Sequence, residues 1–445
     1  MKDFTAGPVG KQIITFSLPI ILGNLFMQFY QVVDSIIVGR YLGKEALAAV
    51  GGSMPVIFAV VALVIGIGSG ASVVISQYFG AKQYDKVRIT SDTLHIFLLI
   101  SGVLIAILGL LFSEAIFRLI GLPAELIPDA STYLKIFLGG IFLLFGFNTI
   151  ASIFRGIGDS RTPLYFLIIS SFLNIGLDLL FVVTFEWGIA GAAWATIISQ
   201  GIAYALAIIY INKKNAIFTI NLFKLKFNGR IFRQCINYGI PTGIQQSLVA
   251  IGGLVLMMVI TPFGTDVIAG YTIAMRIDAL ATIPSMNFAV ALTSFVGQNI
   301  GAGKLDRAKR GLGMTLLYSS LTCMVLTGVI ILFGNNILAM FTTDRAIIQV
   351  GMEYLVVVSS FYLIFSTMFA FNGMFRGAGA VIFPMLSTLF SLWLIRIPVA
   401  IILSNKMGPE GIWWSIPIGW AAGLLMVLIY YKSGKWKNRS IFAPK

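Results

Sequence analysis

The sequence predicts an all-α polytopic membrane protein, with twelve transmembrane helices in two six-helix lobes related by a pseudo-two-fold repeat. The first observation is composition: the 445 residues are 58% apolar and 11% charged. A soluble domain is about 45–50% apolar and about 25% charged, so a soluble fold is excluded. The second observation is a series of long apolar runs. The third is a set of motifs that repeat after half the chain.

Twelve apolar segments are long enough to cross a bilayer as helices, which takes about 20 residues each. They do not alternate between polar and apolar residues, as the strands of a membrane β-barrel would. The first run contains Asp34 and is too long for a cleaved signal peptide, so we interpret it as a retained first helix. The predicted spans are 13–38, 54–75, 94–112, 133–154, 164–185, 190–210, 236–262, 268–296, 313–333, 350–375, 382–403 and 411–431.

The basic residues predict the orientation of the chain. If both termini are cytoplasmic, 23 of the 31 Lys and Arg residues lie on the cytoplasmic side and 6 lie on the other. Basic residues in short loops favour the cytoplasmic side. We therefore expect a multi-pass protein of the cell inner (plasma) membrane with both termini in the cytoplasm. The net charge of +14 then reflects topology, so the lipid bilayer is an expected partner and nucleic acid is not.

An internal repeat divides the chain. Residues 77–81 (QYFGA) recur as 298–302 (QNIGA), and residues 154–158 (FRGIG) recur as 375–379 (FRGAG), both at an offset of 221. Such duplication is common in transporters, which move two halves about a central site. The predicted parts are an N-terminal lobe at 1–212 with helices 1–6, a basic cytoplasmic linker at 213–233, and a C-terminal lobe at 234–445 with helices 7–12.

The linker carries six basic residues, and we expect it to lie beside an anionic leaflet. These residues are Lys213, Lys214, Lys224, Lys226, Arg230 and Arg233.

Several motifs follow one another in a distinctive order. They are Ser17-Leu18-Pro19, Val33-Asp34, residues 77–81, the Arg155–Pro163 turn, Asn174 with Asp178, the Gly188–Ala193 stretch and the Gly297–Gly303 repeat of the second motif. In this order, spacing and duplication they resemble the multidrug and toxic compound extrusion (MATE) family of secondary transporters. The resemblance covers nearly the whole chain.

The resemblance implies a V-shaped, MATE-like fold of the bacterial or archaeal type with a cation site in the N-terminal lobe. It implies an antiporter for multidrug efflux, and hence drug resistance, that exchanges organic compounds for H+ or Na+. Cationic amphipathic substrates fit best, because carboxylates and aromatic rings bind cations. The sequence has no catalytic or nucleotide-binding motif, so we expect the protein not to be an enzyme, to need no cofactor beyond the coupling ion and to bind no metal beyond Na+. We also expect a monomer.

Carboxylates inside apolar spans are functional candidates, because a charge in a bilayer is costly. Asp34, Asn174, Asp178 and Thr196 all fall in the outer half of the N-terminal lobe. Asn174 and Asp178 share one helix face, and two adjacent carboxylates can hold a proton between them. The resemblance maps these four residues onto the family's N-lobe cation (H+ or Na+) site. The alternative is a satisfied hydrogen-bond network between helices.

The first span carries a polar stripe. Asn24, Gln28 and Gln31 lie on one side of the helix and are predicted to line the substrate cavity, or alternatively to bond neighbouring helices. Pro19 removes one helical hydrogen bond. The resemblance associates a proline here with bending of helix 1, so Pro19 is the predicted conformational hinge.

The C-terminal lobe has different buried charges. Arg276, Asp278 and Arg396 fall inside spans, and we expect Asp278 to pair with Arg396 or Arg276 in a structural role. Ion chemistry would then be left to the N-terminal lobe. His95 has no partners for catalysis or metal binding and is interpreted as a packing residue.

Two other functions are considered. A lipid-linked oligosaccharide flippase of the same superfamily would favour a strongly cationic cavity for pyrophosphate, and the buried carboxylates outnumber the buried arginines here. A non-transporting membrane sensor or scaffold would have no need of Asp34 and Asp178.

Overall fold

The computed structural model describes residues 2–214 and 219–442, and within them every regular element is helical. Residues 215–218 of the predicted linker, and residues 1 and 443–445 of the predicted lobes, lie outside the described residues. The helices are α1 Val9–Tyr41, α2 Gly43–Gly80, α3 Tyr84–Leu119, α4 Ile127–Gly139, α5 Ile141–Gly156, α6 Arg161–Asp178, α7 Gly188–Lys214, α8 Gly229–Ile260, α9 Thr265–Gly301, α10 Leu305–Ala339, α11 Arg345–Ser359, α12 Tyr362–Gly377, α13 Ile382–Thr388, α14 Ile397–Met407 and α15 Pro409–Ser433.

The predicted polytopic helical fold is confirmed. In the described part of the chain, ten helices are long and apolar enough to cross a membrane, and two bent pairs bring the number to twelve. The pairs are Ala124–Gly139 with Ile141–Gly156, bent by 49°, and Arg345–Ser359 with Tyr362–Gly377, bent by 51°. The first break lies at Gly140, where α7 packs so closely that a Cβ would collide with Ile197.

Two helices widen into π-helical turns. One turn, Leu179–Thr184, continues α6, and the other, Leu389–Arg396, joins α13 to α14. π-Helical turns occur frequently at functional sites.

The repeated motifs form the same turn in both halves of the sequence. Gly158 and Gly379 both have a positive φ, of 80° and 90°. The N–H of Asp159 donates to the Phe154 carbonyl oxygen at 2.8 Å, and the N–H of Ala380 donates to the Phe375 carbonyl oxygen at the same distance. Glycine is required because other residues rarely adopt a positive φ. The sequence repeat is therefore also a structural repeat.

The chain packs as two compact units, and their boundaries fall inside helices. One unit comprises Leu22–Gly243 with Lys2, and the second comprises Asp3–Ile21 with the chain from Ile244 onward. The first part of α1 thus belongs to the second unit, and the first part of α8 belongs to the first unit. Each boundary lies two residues after a proline inside the helix, Pro19 or Pro241. The lobe boundaries at 212 and 234, which follow the sequence repeat, stay a prediction.

Within the first unit, α2 and α8 touch through glycines. A Cβ on Gly66 would lie 2.6 Å from the Gly243 nitrogen, and a Cβ on Gly239 would lie 2.6 Å from the Ile67 Cα atom. A Cβ on Gly70 would also collide with the Gly239 backbone. The glycines are spaced four apart on each helix, a pattern that lets helix backbones approach closely in membranes.

Candidate functional site

The structure brings all four predicted cation-site residues together in the first unit. Asp34 is on α1, Asn174 and Asp178 are on α6, and Thr196 is on α7. Asp178 and Asn174 are 0% and 1% exposed, and Thr196 is also buried. The sequence grouped these residues by depth and helix face, and the fold closes the group into one cluster.

Asn174 lies between Asp178, on its own helix α6, and Thr196 on α7. With its amide oriented to satisfy both ends, its nitrogen donates to Asp178 Oδ2 at 3.1 Å and its oxygen accepts from the Thr196 N–H at 3.2 Å. The Thr196 hydroxyl donates to the Ala192 carbonyl oxygen at 3.1 Å. Asn174 therefore joins α6 to α7 and orients the Asp178 carboxyl group.

The carboxyl groups of Asp34 and Asp178 lie beside each other and interact directly. A hydrogen bond between two carboxyl groups requires that one of them carries a proton, because an ionised carboxylate only accepts. Within the described residues, the Oδ1 atoms of Asp34 and Asp178 are buried and have no hydrogen-bond partner. The pair can thus share a proton, and its two uncommitted oxygens can accept a further cation.

Two tyrosines that were not predicted from the sequence complete the cluster. Tyr30 interacts with the Thr196 side chain and lies near Asp34 and Asp178. Tyr133, on α4, is 3% exposed and lies near the same carboxyl groups. Tyr30 could have been found, since it precedes Asp34 by four residues and so shares its helix face. Nothing in the sequence around Tyr133 connects it to α1 or α6.

The backbone after Asp178 also shapes the site. Asp178 ends α6, and the π-helical turn Leu179–Thr184 follows it directly. Gly191, at the start of α7, packs against this turn, and a Cβ there would lie 3.1 Å from the Phe181 backbone carbon. The small residues of the Gly188–Ala193 motif therefore bring α7 close enough for Thr196 to reach Asn174.

The predicted cavity and hinge residues on α1 differ in their exposure to solvent. Asn24 is half-buried, whereas Gln28 and Gln31 are exposed on the helix surface. Pro19 is buried inside the continuous helix α1. The roles of these residues, in the substrate cavity and as a hinge, stay predictions.

The predicted ion pair in the second unit is not formed. No ion pair between Asp278 and an arginine occurs within the described part of the chain. Instead, the Tyr362 hydroxyl donates to Asp278 Oδ1 at 2.7 Å. Arg276 is exposed on α9, and Arg396, whose buried Nε has no hydrogen-bond partner among the described residues, lies near Asp278. The prediction was wrong because the tyrosine is supplied by α12, a neighbour that the sequence does not identify.

Among residues 2–214 and 219–442, no three or more His, Cys, Asp or Glu side chains form a group that could hold a metal ion. The four predicted residues of the cluster in the first unit supply two carboxyl groups, one amide and one hydroxyl. This donor set fits a proton or one monovalent cation.

Known proteins resemble the chain over its whole length. The family model MatE matches residues 19–180 and 241–402. A Bacillus subtilis protein named "Probable multidrug resistance protein YpnP" is 33% identical, over 100% of this chain and 99% of its own length. "Multidrug export protein MepA" of Staphylococcus aureus is 28% identical, over 97% and 96% of the two chains.

Solved structures of transporters have the same fold as this chain. An "outward-facing conformation of a multidrug resistance MATE family transporter of the MOP superfamily" has a TM-score of 0.91 at 26% identity and covers 98% of both chains. A transporter of that superfamily from Pyrococcus furiosus, whose description reports a binding pocket of reverse polarity and suggests a different function, has a TM-score of 0.89 at 25% identity over 97% of both chains. The chain is a multi-pass membrane protein that belongs to the MATE family of transporters.

Proposed function

We propose that the protein is a secondary antiporter that exports cationic amphipathic organic compounds in exchange for H+ or Na+. The observation that carries this proposal is the carboxyl pair of Asp34 and Asp178, in which each Oδ1 atom is buried and has no hydrogen-bond partner among the described residues. Two adjacent carboxyl groups do not both ionise unless a cation lies between them, and otherwise one of them keeps a proton. The pair is therefore suited to bind and release one positive charge.

The geometry connects ion binding to α1. Asp34 is contributed by α1, whereas Asp178 and Asn174 are contributed by α6. A proton on the pair makes the hydrogen bond between α1 and α6, and loss of that proton leaves two repelling charges. Binding of the ion thus favours one arrangement of α1 over another. An ion or substrate shifts a conformational equilibrium only through its different affinity for the two states, so the two ligands are expected to favour different states.

A cationic substrate is supported by the chemistry of the same unit, and drug export is supported by the names of the relatives. The two carboxyl groups lie beside Tyr30 and Tyr133, and cations bind favourably to aromatic faces. A flippase for lipid-linked oligosaccharides would need several basic side chains in its cavity. Of the two arginines predicted inside spans, Arg276 is exposed and only Arg396 is half-buried.

We further propose that the protein works as a monomer in the cell inner membrane, with both termini in the cytoplasm. The positive charge of the predicted cytoplasmic loops supports this orientation.

The proposal is tested with purified protein in proteoliposomes. A pH gradient or a sodium gradient is imposed separately, and the efflux of ethidium is followed by fluorescence. We expect Asp34→Asn and Asp178→Asn each to reduce gradient-driven efflux at least tenfold. Asp278→Asn is the matched control, because it changes a partly buried carboxyl group in the second unit, and it should keep at least half of the wild-type rate. Unchanged efflux in both first-unit variants would contradict the proposal.

A further inference from the structure

The described part of the linker is fixed to the first unit at its beginning. The side chain of Asn212, near the end of α7, forms hydrogen bonds with both the N–H and the carbonyl oxygen of Ile220. Asn212 Oδ1 accepts from the Ile220 N–H at 2.7 Å, and Asn212 Nδ2 donates to the Ile220 carbonyl oxygen at 2.9 Å. The Ile220 side chain is 2% exposed. The linker from residue 220 is therefore an ordered part of this unit.

A second attachment lies on α3. Asp92 Oδ2 accepts from the Lys226 N–H at 3.4 Å, and the Thr93 hydroxyl accepts from the Asn228 N–H at 3.1 Å. Asn228 Oδ1 then accepts from the N–H groups at the start of α8, which makes Asn228 an N-cap. Residues 220–228 are thus held at both ends.

The attachment on α3 places the linker at the membrane surface. Asp92 and Thr93 directly precede Leu94, where the apolar span of α3 begins. One turn further, Phe97 contacts the Phe232 ring at a centroid distance of 4.9 Å. The part of a helix that crosses the hydrocarbon begins where its apolar run begins. The linker therefore crosses α3 at the end of its apolar span, which we place at the level of the lipid headgroups.

This segment exposes apolar side chains. Phe223 is 98% exposed, Phe227 is 53% exposed and Leu222 is 36% exposed. A tight turn presents Phe223, because the Lys224 N–H donates to the Asn221 carbonyl oxygen and the Phe223 N–H donates to Asn221 Oδ1, both at 3.0 Å. A phenylalanine held in full contact with water is unfavourable, so an apolar environment at this position would stabilise the protein.

The charge around the turn has one sign. Residues 213–233 contain six basic residues and no acidic residue. Lys213 and Lys214 precede the turn, and Lys224 and Lys226 follow Phe223 on exposed positions. Alternation of lysines with exposed aromatic and aliphatic side chains is the composition of segments that lie in the membrane interface. Basic residues there attract anionic lipids.

We propose that the turn around Phe223 is a binding site for anionic phospholipids. Phe223 and Leu222 insert between the acyl chains near the surface, while Lys213, Lys214 and Lys224 bind the headgroup phosphates. The site anchors the first unit to the leaflet next to the linker. This proposal does not depend on the transported compound or on the coupling ion.

Insertion is tested with a fluorescent label. The native Cys235 and Cys323 are buried, so a Phe223→Cys variant can be labelled selectively with an environment-sensitive nitrobenzoxadiazole dye. The full-length protein is reconstituted in vesicles that contain phosphatidylglycerol. We expect lipids with a spin label near the headgroup to quench this dye at least threefold more than a dye on Asp306→Cys, whose side chain is 87% exposed at the start of α10. Equal quenching at the two positions would overturn the proposal.

Headgroup binding is tested by native mass spectrometry of the full-length protein released from the same vesicles. The triple variant of Lys213, Lys214 and Lys224 to Gln should retain less than one third of the phosphatidylglycerol retained by wild type. The matched control changes Lys432, Lys435 and Lys437 to Gln, which removes the same charge elsewhere and should retain the wild-type amount. Equal loss in both triple variants, or binding of short RNA in place of lipid, would contradict the assignment. A Phe223→Ser variant without the label checks by its thermal stability that the unit still folds.

Discussion

The side-chain amide of Asn299 donates to the carbonyl oxygen of Phe4 at 3.1 Å, across 295 positions of the sequence. The Phe4 N–H donates in turn to Gln298 Oε1 at 3.0 Å. The Phe4 ring is fully buried against Phe16 and Phe295, at centroid distances of 4.9 and 5.7 Å. Residues before α1 are therefore built into the second unit, where they join the start of α1 to the end of α9.

Arg307 holds the same segment. Its guanidinium donates to the carbonyl oxygens of Phe4 and Ala6 at 2.8 and 3.0 Å, and to Gln12 Oε1 at 2.7 Å. We expect Arg307→Gln to destabilise the second unit by about 2 kcal/mol, because one hydrogen bond to a charged group contributes about 1.5–3 kcal/mol and exposure to solvent weakens this set of three. The measurement is the midpoint of thermal unfolding in detergent. Arg310→Gln, an exposed arginine one turn further on α10, is the control, and an equal decrease in both would contradict this role.

The glycine contact between α2 and α8 predicts a second effect on stability. Gly66→Ala adds a Cβ only 2.6 Å from the Gly243 nitrogen, so the helices must separate. Overpacking of this kind costs about 1–3 kcal/mol. Gly51→Ala on the same helix has no atom within 4 Å of the added Cβ and should be neutral or slightly stabilising. Thermal unfolding of the two variants separates the contact from helix propensity. A Gly66→Ala variant as stable as the wild type would show that α2 and α8 do not depend on this contact.

Tyr30 is expected to tune the carboxyl pair. Tyr30→Phe removes the hydroxyl that interacts with Thr196 and keeps the ring. Loss of one hydrogen bond of about 1 kcal/mol should slow gradient-driven ethidium efflux about fivefold. Tyr41→Phe, at the exposed end of α1, is the matched control and should transport at the wild-type rate. If Tyr30→Phe transports as fast as this control, the tyrosine only fills space.

Asp278 and Tyr362 are expected to affect stability and not coupling. Tyr362→Phe removes the 2.7 Å hydrogen bond to Asp278 Oδ1 and leaves a partly buried carboxyl oxygen without that donor, at a cost of about 1–3 kcal/mol. The thermal midpoint should fall, while efflux per folded molecule stays within twofold of wild type. Tyr165→Phe, an exposed tyrosine on α6, controls for loss of a hydroxyl. Loss of gradient dependence in Tyr362→Phe would instead make this pair part of the coupling site.

The sequence predicted much of the fold because a bilayer imposes its own rules. Apolar runs of about 20 residues and the offset of 221 between repeats depend on local composition, and the twelve spans follow from them. The bend at Gly140 is different, since it depends on how closely Ile197 packs on that glycine. The division of α1 after Ile21 was also not visible, because Phe4 finds its partners almost 300 residues later.

Part of the candidate cation site could also be predicted, because the bilayer restricts where polar residues can lie. Asp34, Asn174, Asp178 and Thr196 are polar residues in apolar helices, and such residues rarely face lipid. The distances between these residues could not be predicted from the sequence, because the residues lie on three different helices whose packing is set by the tertiary structure. Tyr133 was missed because nothing in the sequence around it connects α4 to α1 or α6. The Asp278 prediction failed because a tyrosine hydroxyl can also donate a hydrogen bond to a carboxylate, and the sequence does not show that Tyr362 lies next to Asp278.

The burial of Phe4 against α9 has a consequence for biosynthesis. Phe4 leaves the ribosome first, and its partner Gln298 follows 294 residues later. At about 5–20 residues per second, that interval is roughly 15 to 60 s. The start of α1 must remain unpaired in the nascent chain until α9 has been inserted. In the first unit, α2 likewise cannot form its glycine contact until Gly239 and Gly243 on α8 have been translated. The first unit can therefore reach its final packing only after α8 has been translated, and the second unit only after α9 has been translated.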